Sequence, residues 1–159
     1  MITLQLYSPK HDTDLKTYTL NEEQLQFTAL PSDLLTDTAI VNAPQKKLIS
    51  ILYKDTAIGL FILDSGNDIK SYTDQKNVLL LRALSVNPSF QGKGFTKKAM
   101  LELPEFINSY FENIKNVFLV VNKRNIDAYH FYLKCGFSDT QKTATGPIGD
   151  QYIMQLNLQ

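Results

Sequence analysis

The apolar positions of this chain fall into short runs separated by clusters of turn residues. "ITLQLYS" at the start alternates weakly between apolar and polar positions, the pattern of a first strand. From about residue 10 to 44 the pattern is polar, with short helical pieces such as "SDLLTDTAI", where Ser32 is the expected N-cap. "KLISILYKDTAIGLFILD" (47–64) reads as two β-rich runs around a Lys-Asp-Thr turn. "SGNDIKSYTDQKN" then carries turn residues into the apolar run "VLLLRALSV", which predicts a central strand.

The period changes after residue 94. Phe95, Ala99, Met100, Leu103, Phe106, Ile107, Tyr110 and Phe111 recur at three- and four-residue intervals, one face of an amphipathic helix that Pro104 should bend. "NVFLVVN" (116–122) is a continuous apolar run of the kind found in buried strands, and the helix before it makes a parallel βαβ link to residues 78–86. Asn125 is placed to cap another helix, with Ile126, Tyr129 and Leu133 marking its apolar face and Gly136 ending it in the left-handed conformation. "GFSDTQKTATGPIGDQYIMQLNL" closes the chain as a hairpin around a Thr-Gly-Pro turn. No internal repeat or low-complexity tract interrupts the order, so residues 1–159 are read as a single α+β domain.

Bulk charge narrows the partners. Sixteen basic and sixteen acidic residues cancel, so the global field of a nucleic-acid binder is missing. The single Cys135 and two histidines, His11 and His130, support neither a disulfide scaffold nor a zinc site, and no metal is expected. No apolar run approaches the roughly 18 residues of a membrane span, so a soluble, cytoplasmic protein without a membrane partner is expected. Exposed apolar strand ends could pair two copies into a homodimer.

The densest chemistry lies in "SVNPSFQGKGFTKKAM" (85–100), where a strand ends, Gly92 and Gly94 follow one residue apart, and a helix with lysines begins. Glycines there let the backbone turn tightly and expose N–H groups that suit a phosphate or pyrophosphate. A Walker loop is excluded, because Asn87 stands where its first glycine belongs and Gly94 follows Lys93. A dinucleotide fingerprint also fails, because Lys97 occupies the place of its third glycine.

In "QGKGFT" (91–96) the order Gln91, two residues, Gly94 and one residue resembles the acyl-CoA signature of the GCN5-related N-acetyltransferase superfamily, with Thr96 in place of the final Gly or Ala. "NIDAYHFYLKCGF" (125–137) is similar to that family's fourth-helix pattern, with Asn125, Ala128, Tyr132, Lys134 and Gly136-Phe137 in register. The likeness covers residues 47–157 and is loose over 1–46. It implies a mixed, twisted sheet of six to seven strands flanked by helices, with two central parallel strands splayed around a pantetheine arm. It also implies acetyl-CoA as cosubstrate, bound by Leu84, Ser85 and Val86 through the strand and by Gln91, Gly92, Lys93, Gly94, Phe95 and Thr96 around the pyrophosphate. Asn125 would both cap its helix and contact the cofactor, and Tyr132 would be the catalytic proton donor to the departing thiolate.

Direct acetyl transfer leaves one proton unaccounted for. An aliphatic amine of pKa about 10.4 costs about 4.6 kcal/mol to deprotonate at pH 7, yet neither "VLLLRALSV" nor "VFLVV" carries the glutamate that family members often place there. Glu22, Glu23, Asp33 and Asp37 are the remaining candidates, since acceptor sites in the family involve the N-terminal region. Tyr129 and Cys135 are expected to pack rather than react. "TLNEEQLQFTAL" and "LRALSVNPSFQGKGFTKKAM", with Arg82, are similar to bacterial diamine and polyamine acetyltransferases, although Leu81 replaces a residue that is often acidic in them. The expected activity is acetyl transfer to a small amine such as a polyamine. The alternatives are a protein N-terminus or lysine, which would need a peptide groove between "SDLLTDTAI" and the last hairpin, or an acyl-CoA-binding module without catalysis.

Overall fold

A computed structural model describes residues 1–158 of the chain. Seven strands form one sheet in the order β1-β2-β3-β4-β5-β7-β6. The strands are β1 Ile2–Leu6, β2 Lys46–Tyr53, β3 Thr56–Asp64, β4 Val78–Val86, β5 Asn116–Asn122, β6 Ser138–Gly146 and β7 Gly149–Asn157. The β4–β5 pair is parallel, and every other neighbouring pair is antiparallel. This is the mixed seven-stranded α+β sheet that the sequence reading expects.

The central strands read as unbroken apolar runs because both faces of the sheet are covered. Along β3, Phe61 and Leu63 enter a cluster with Met100, Leu103, Ile107 and Tyr132, whereas Leu60 and Ile62 join Leu15, Tyr18, Leu34 and Leu35 on the opposite face. One face is therefore closed by α5 (Phe95–Leu101), α6 (Leu103–Tyr110) and α7 (Ile126–Lys134). The other carries the short helices α1 (Asp12–Leu15), α2 (Glu22–Leu25), α3 (Pro31–Thr36) and α4 (Thr38–Val41). No described helix is long and apolar enough to cross a membrane.

Three local expectations change. "SDLLTDTAI" starts one turn position earlier, with Leu30 as N-cap and Pro31 in the first turn, because proline supplies the helical φ without needing a hydrogen-bond partner; Ser32 lies inside the helix. Asp37 then divides the segment, its carboxylate accepting from the Ala39 N–H to start α4. Pro104 breaks the long helix rather than bending it, and α5 and α6 join at Glu102. On α7, Ile126 and Leu133 point outward at 61% and 39% exposure, and the buried face is Tyr132 with the half-buried Ala128 and Phe131. Of the face that periodicity marks, Tyr129 is half-buried against the core, while Ile126 and Leu133 are turned out because Tyr132 and Ala128 keep the same spacing one residue earlier.

Close approach of β3 to β4 rests on Gly59. A Cβ there would lie 2.6 Å from the Ser85 carbonyl oxygen and 3.1 Å from Val86 Cγ2. The obstacle is paired backbone, which cannot rotate away as a side chain could. Gly59→Ala is expected to destabilise the fold by about 1–3 kcal/mol, seen as a lower urea midpoint at unchanged slope; an unchanged midpoint would show that the strands can separate without cost.

Candidate functional site

The parallel pairing of β4 and β5 is short. Val78, Leu79 and Leu80 face Asn116, Val117 and Phe118, after which β5 keeps its pairing with β7 as far as Asn122↔Gln151 while β4 runs on alone to Val86. Between these diverging ends the sheet opens, and β4 keeps only its pairing with β3. A bulge sharpens the divergence: Ala83 takes φ 56°, and the β3–β4 register slips between Ile62↔Arg82 and Leu60↔Ser85. A non-glycine residue in that region costs about 1 kcal/mol, so the surrounding pairs must hold it there.

Beyond the bulge Ser85 pairs with Leu60 and the Asn87 N–H donates to the Ile58 carbonyl at 2.7 Å. Backbone alternation then turns the polar groups of Leu84 and Val86 away from β3, toward the opening. Their carbonyls are already engaged. Leu84 accepts from Thr28 Oγ1 at 3.0 Å, and Val86 accepts from Gln91 Nε2 at 2.8 Å. The Ser85 hydroxyl bonds Tyr18 Oη at 2.9 Å in a buried pair, where burial pushes the tyrosine up to about 12.

Gly92 and Gly94 adopt φ 75° and 80°, and a Cβ on either would meet no atom within 4 Å. The loop is thus open on its outer side. The first bond of α5 runs from the Lys98 N–H to the Gly94 carbonyl, so the N–H groups of Phe95, Thr96 and Lys97 precede the helical ladder. Gly92, Gly94, Thr96 and Lys97 line the cleft, whereas Lys93 and Phe95 do not. The Phe95 ring stacks on Tyr53 at 4.5 Å, pinning the loop to β2, and Lys93 Nζ sits 5.8 Å from the Phe90 ring centre. Neither side chain therefore lines the cleft. Gln91 is an anchor as well: while its Nε2 holds Val86, its Oε1 accepts from Gln24 Nε2 at 3.1 Å.

Tyr132 reaches the cleft from α7. Asn125 caps that helix by accepting from the Ala128 N–H, and Gly136 ends it at φ 99°, as the sequence pattern predicts. The Tyr132 ring packs edge-on against Phe131 and Phe137, yet its hydroxyl has no hydrogen-bond partner among the described residues. Burial first, then the neighbouring Cys135, pushes its pKa upward. Tyr129 donates to Asp139 Oδ2 at 2.9 Å and lies 4.4 Å from the Tyr152 ring, so it fastens α7 to the hairpin. Cys135 is buried, and burial raises its thiol to about 11. His11 is buried with Nδ1 accepting from the Ser8 N–H; desolvation lowers its pKa.

The cleft measures about 1010 Å³. Its outer walls are residues 20–28 around α2 and the Thr145–Ile148 turn of the last hairpin. Ser32 to Ile40 do not line it, so the wall facing the hairpin is supplied by the segment before "SDLLTDTAI" and not by that segment. Of the four candidate carboxylates of the N-terminal region, Glu23 lines the cleft and Glu22, Asp33 and Asp37 do not. No described group of three or more His, Cys, Asp or Glu side chains could hold a metal ion. The residues missed by sequence reasoning are Tyr18, Gln24, Thr28 and Tyr72, which sit in the polar half of the chain or in a turn-rich segment where periodicity carries no signal.

The profile of the acetyltransferase (GNAT) family matches residues 13–137. The uncharacterized N-acetyltransferase YbbJ of Bacillus subtilis (strain 168) is 37% identical over 154 residues, 96% of this chain and 95% of its own length. Aminoglycoside acetyltransferase AAC(6')-Ib in complex with coenzyme A superposes with a TM-score of 0.77 at 19% identity, covering 99% of this chain and 95% of that one. Spermidine N-acetyltransferase from Vibrio cholerae in complex with CoA and spermine gives 0.72 at 17% identity, covering 99% and 95%. At those identities the two structures share the fold.

The Tyr18–Ser85 pair ties the N-terminal segment to β4 beside the opening. Tyr18→Phe should cost about 1–2 kcal/mol by leaving the Ser85 hydroxyl buried and unpaired, and adding Ser85→Ala should recover most of that loss. Urea unfolding of the single and double variants measures both steps; additive losses would contradict the pairing.

Proposed function

The chain belongs to the acetyltransferase (GNAT) family and is an N-acetyltransferase with acetyl-CoA as cosubstrate, and we propose that it acetylates a small primary amine held between the splayed strands and the last hairpin. The observation that carries this reading is that Tyr132, whose hydroxyl has no hydrogen-bond partner among the described residues, lines the same cleft as Leu84 and Val86 of β4 and Val121 of β5. Acetyl-CoA supplies an activated acyl thioester, which a neutral amine can attack directly. The chain's contribution is placement.

The N–H groups of Leu84 and Val86 would hold the pantetheine amides, and those of Gly92 to Thr96 the pyrophosphate. Thr28 and Gln91 keep the neighbouring strand carbonyls engaged, so the strand edge offers donors in preference to acceptors. Asn125 and Ala128 line the same wall. Tyr132 then donates a hydrogen bond to the sulfur as the carbon–sulfur bond breaks. Its raised pKa keeps it neutral across the working pH range. Full proton transfer from a phenol of pKa about 10 to a thiolate of about 8.5 is uphill by roughly 2 kcal/mol, so the tyrosine stabilises the leaving thiolate and the amine's proton restores neutrality.

A small acceptor fits better than a polypeptide, because the N-terminal wall is packed down onto β4 through Thr28 and Tyr18 rather than held open. A polyamine would need several carboxylates around it. Glu23 and Asp127 are the acidic side chains among the lining residues, both exposed, and Arg82 lines the cleft with them. A monoamine therefore suits the site better than a dication.

Tyr132→Phe should lower kcat by about 10²-fold while leaving coenzyme A affinity within twofold, measured by thiol release and by calorimetry. Retained activity would remove Tyr132 from the chemistry, and lost affinity would make it a binding residue. With no carboxylate on β4 or β5, kcat/KM for an aliphatic amine should rise about tenfold per pH unit from 7 to 9, following the free-amine fraction. The high Tyr132 pKa puts no ceiling on that rise within the range. A plateau beginning near pH 7 would reveal a protein base.

A further inference from the structure

We propose that Arg82 selects acceptors that carry a carboxylate beside the amine, a specificity that rests on the acetyl-transfer reading of the cleft. Arg82 lies on β4 two residues beyond Leu80, the last residue paired with β5, and so shares Leu80's face of the sheet where the strands part. Tyr72, Leu80, Val120 and Ile148 line the cleft with it. The other charged lining residues are Lys97 on α5, Asp127 at the start of α7, and Glu23 beside Gln24, which bonds Gln91. Arg82 thus stands among apolar and aromatic lining residues where β4 and β5 part.

Arg82 is also oriented. Its Nη1 donates to Asp64 Oδ2 at 3.0 Å and to Asp68 Oδ2 at 2.7 Å. Asp64 is 2% exposed and fixed in β3, so the guanidinium is held by a rigid partner, while Asp68 is 63% exposed and its share is screened by water. A guanidinium has five N–H donors, and these two bonds use those of Nη1. Nε and Nη2 have no partner among the described residues, and the side chain is 38% exposed. Three donors in a fixed plane match the two oxygens of a carboxylate. Arg124 adds a second positive charge beside the hairpin turn, its Nη2 donating to the Ile148 carbonyl at 3.3 Å. An amine whose second group is another ammonium would find no free carboxylate beside Arg82, because Asp64 and Asp68 are both engaged by Nη1.

The test compares each acid with its primary amide for glycine, leucine and phenylalanine, with spermidine and putrescine alongside. Thiol release is corrected for the free-amine fraction, and calorimetry measures binding of the N-acetylated products in the presence of coenzyme A. At least one acid should exceed its amide by tenfold or more in kcat/KM, mainly through KM. Its acetylated product should bind at least tenfold more tightly than the acetylated amide. Arg82→Lys, which keeps a charge but loses the planar fork, should shrink both ratios to about threefold. Because that change also loosens the hold on buried Asp64, Asp68→Asn is the second variant; it relieves Nη1 of one carboxylate and should raise the acid-to-amide ratio twofold or more. Transfer to amides or polyamines at rates equal to or above every acid would overturn the Arg82 proposal and leave acetyl transfer standing. Tight binding of an acetylated acid without transfer to any amine would support Arg82 and overturn the transfer reading, and failure of both readouts would overturn both.

Discussion

Three rows of parallel pairing, Val78 to Leu80 against Asn116 to Phe118, are what the rest of the site depends on. Had the pairing continued, the backbone groups of Leu84 and Val86 would be spent on β5 and the sheet would be closed. Instead β5 is held by β7 along its whole length, through seven register pairs, and β4 by β3. Each strand is stabilised on its outer side, so the seam between them can open without loss of the sheet. The left-handed Ala83 and the close contact of Gly59 with Ser85 are local costs of that arrangement.

An opened seam exposes polar backbone, and the N-terminal segment meets that need. Thr28 takes the Leu84 carbonyl, Gln91 takes that of Val86 and is itself held by Gln24, and Tyr18 pairs with Ser85. Three of these four contacts link residues 18–28 to the strand end and glycine loop, and the fourth, Gln91 to Val86, joins the loop to the strand. Residues 18–28 and the end of β4 are therefore one hydrogen-bonded unit, so a change in the first is felt at the second. Tyr132 approaches from the other face, on a helix whose start and end are set by Asn125 and Gly136.

Much of this was legible in the sequence because its signals are local. The β2–β3 and β6–β7 hairpins, the strand before the glycines, the Asn125 cap and the Gly136 exit all follow from residues near the feature they determine. The fourth-helix motif singled out Tyr132, which lines the cleft. The misses have the opposite character. Alanine has no preference for φ 56°, so nothing at position 83 announces the bulge. Thr28 and Tyr18 act through partners more than 50 residues away, and Arg82 is oriented by Asp64 and Asp68 from β3 and the turn after it. Ser32 lost the capping role to the Leu30–Pro31 start, and Ile126 and Leu133 lie on the solvent side of α7, because packing and proline geometry outranked the simple pattern.

In the proposed complex the open seam between β4 and β5, with the glycine loop, receives the cofactor through backbone N–H groups. Amide shifts in two-dimensional NMR during titration with coenzyme A test it most directly. Saturable shifts are expected to concentrate at Leu84, Val86, Gly92, Gly94 and Thr96, with Gly59 and Leu60 on the paired side of β3 little moved. Saturable binding that shifts other amides and leaves these five unchanged would contradict it.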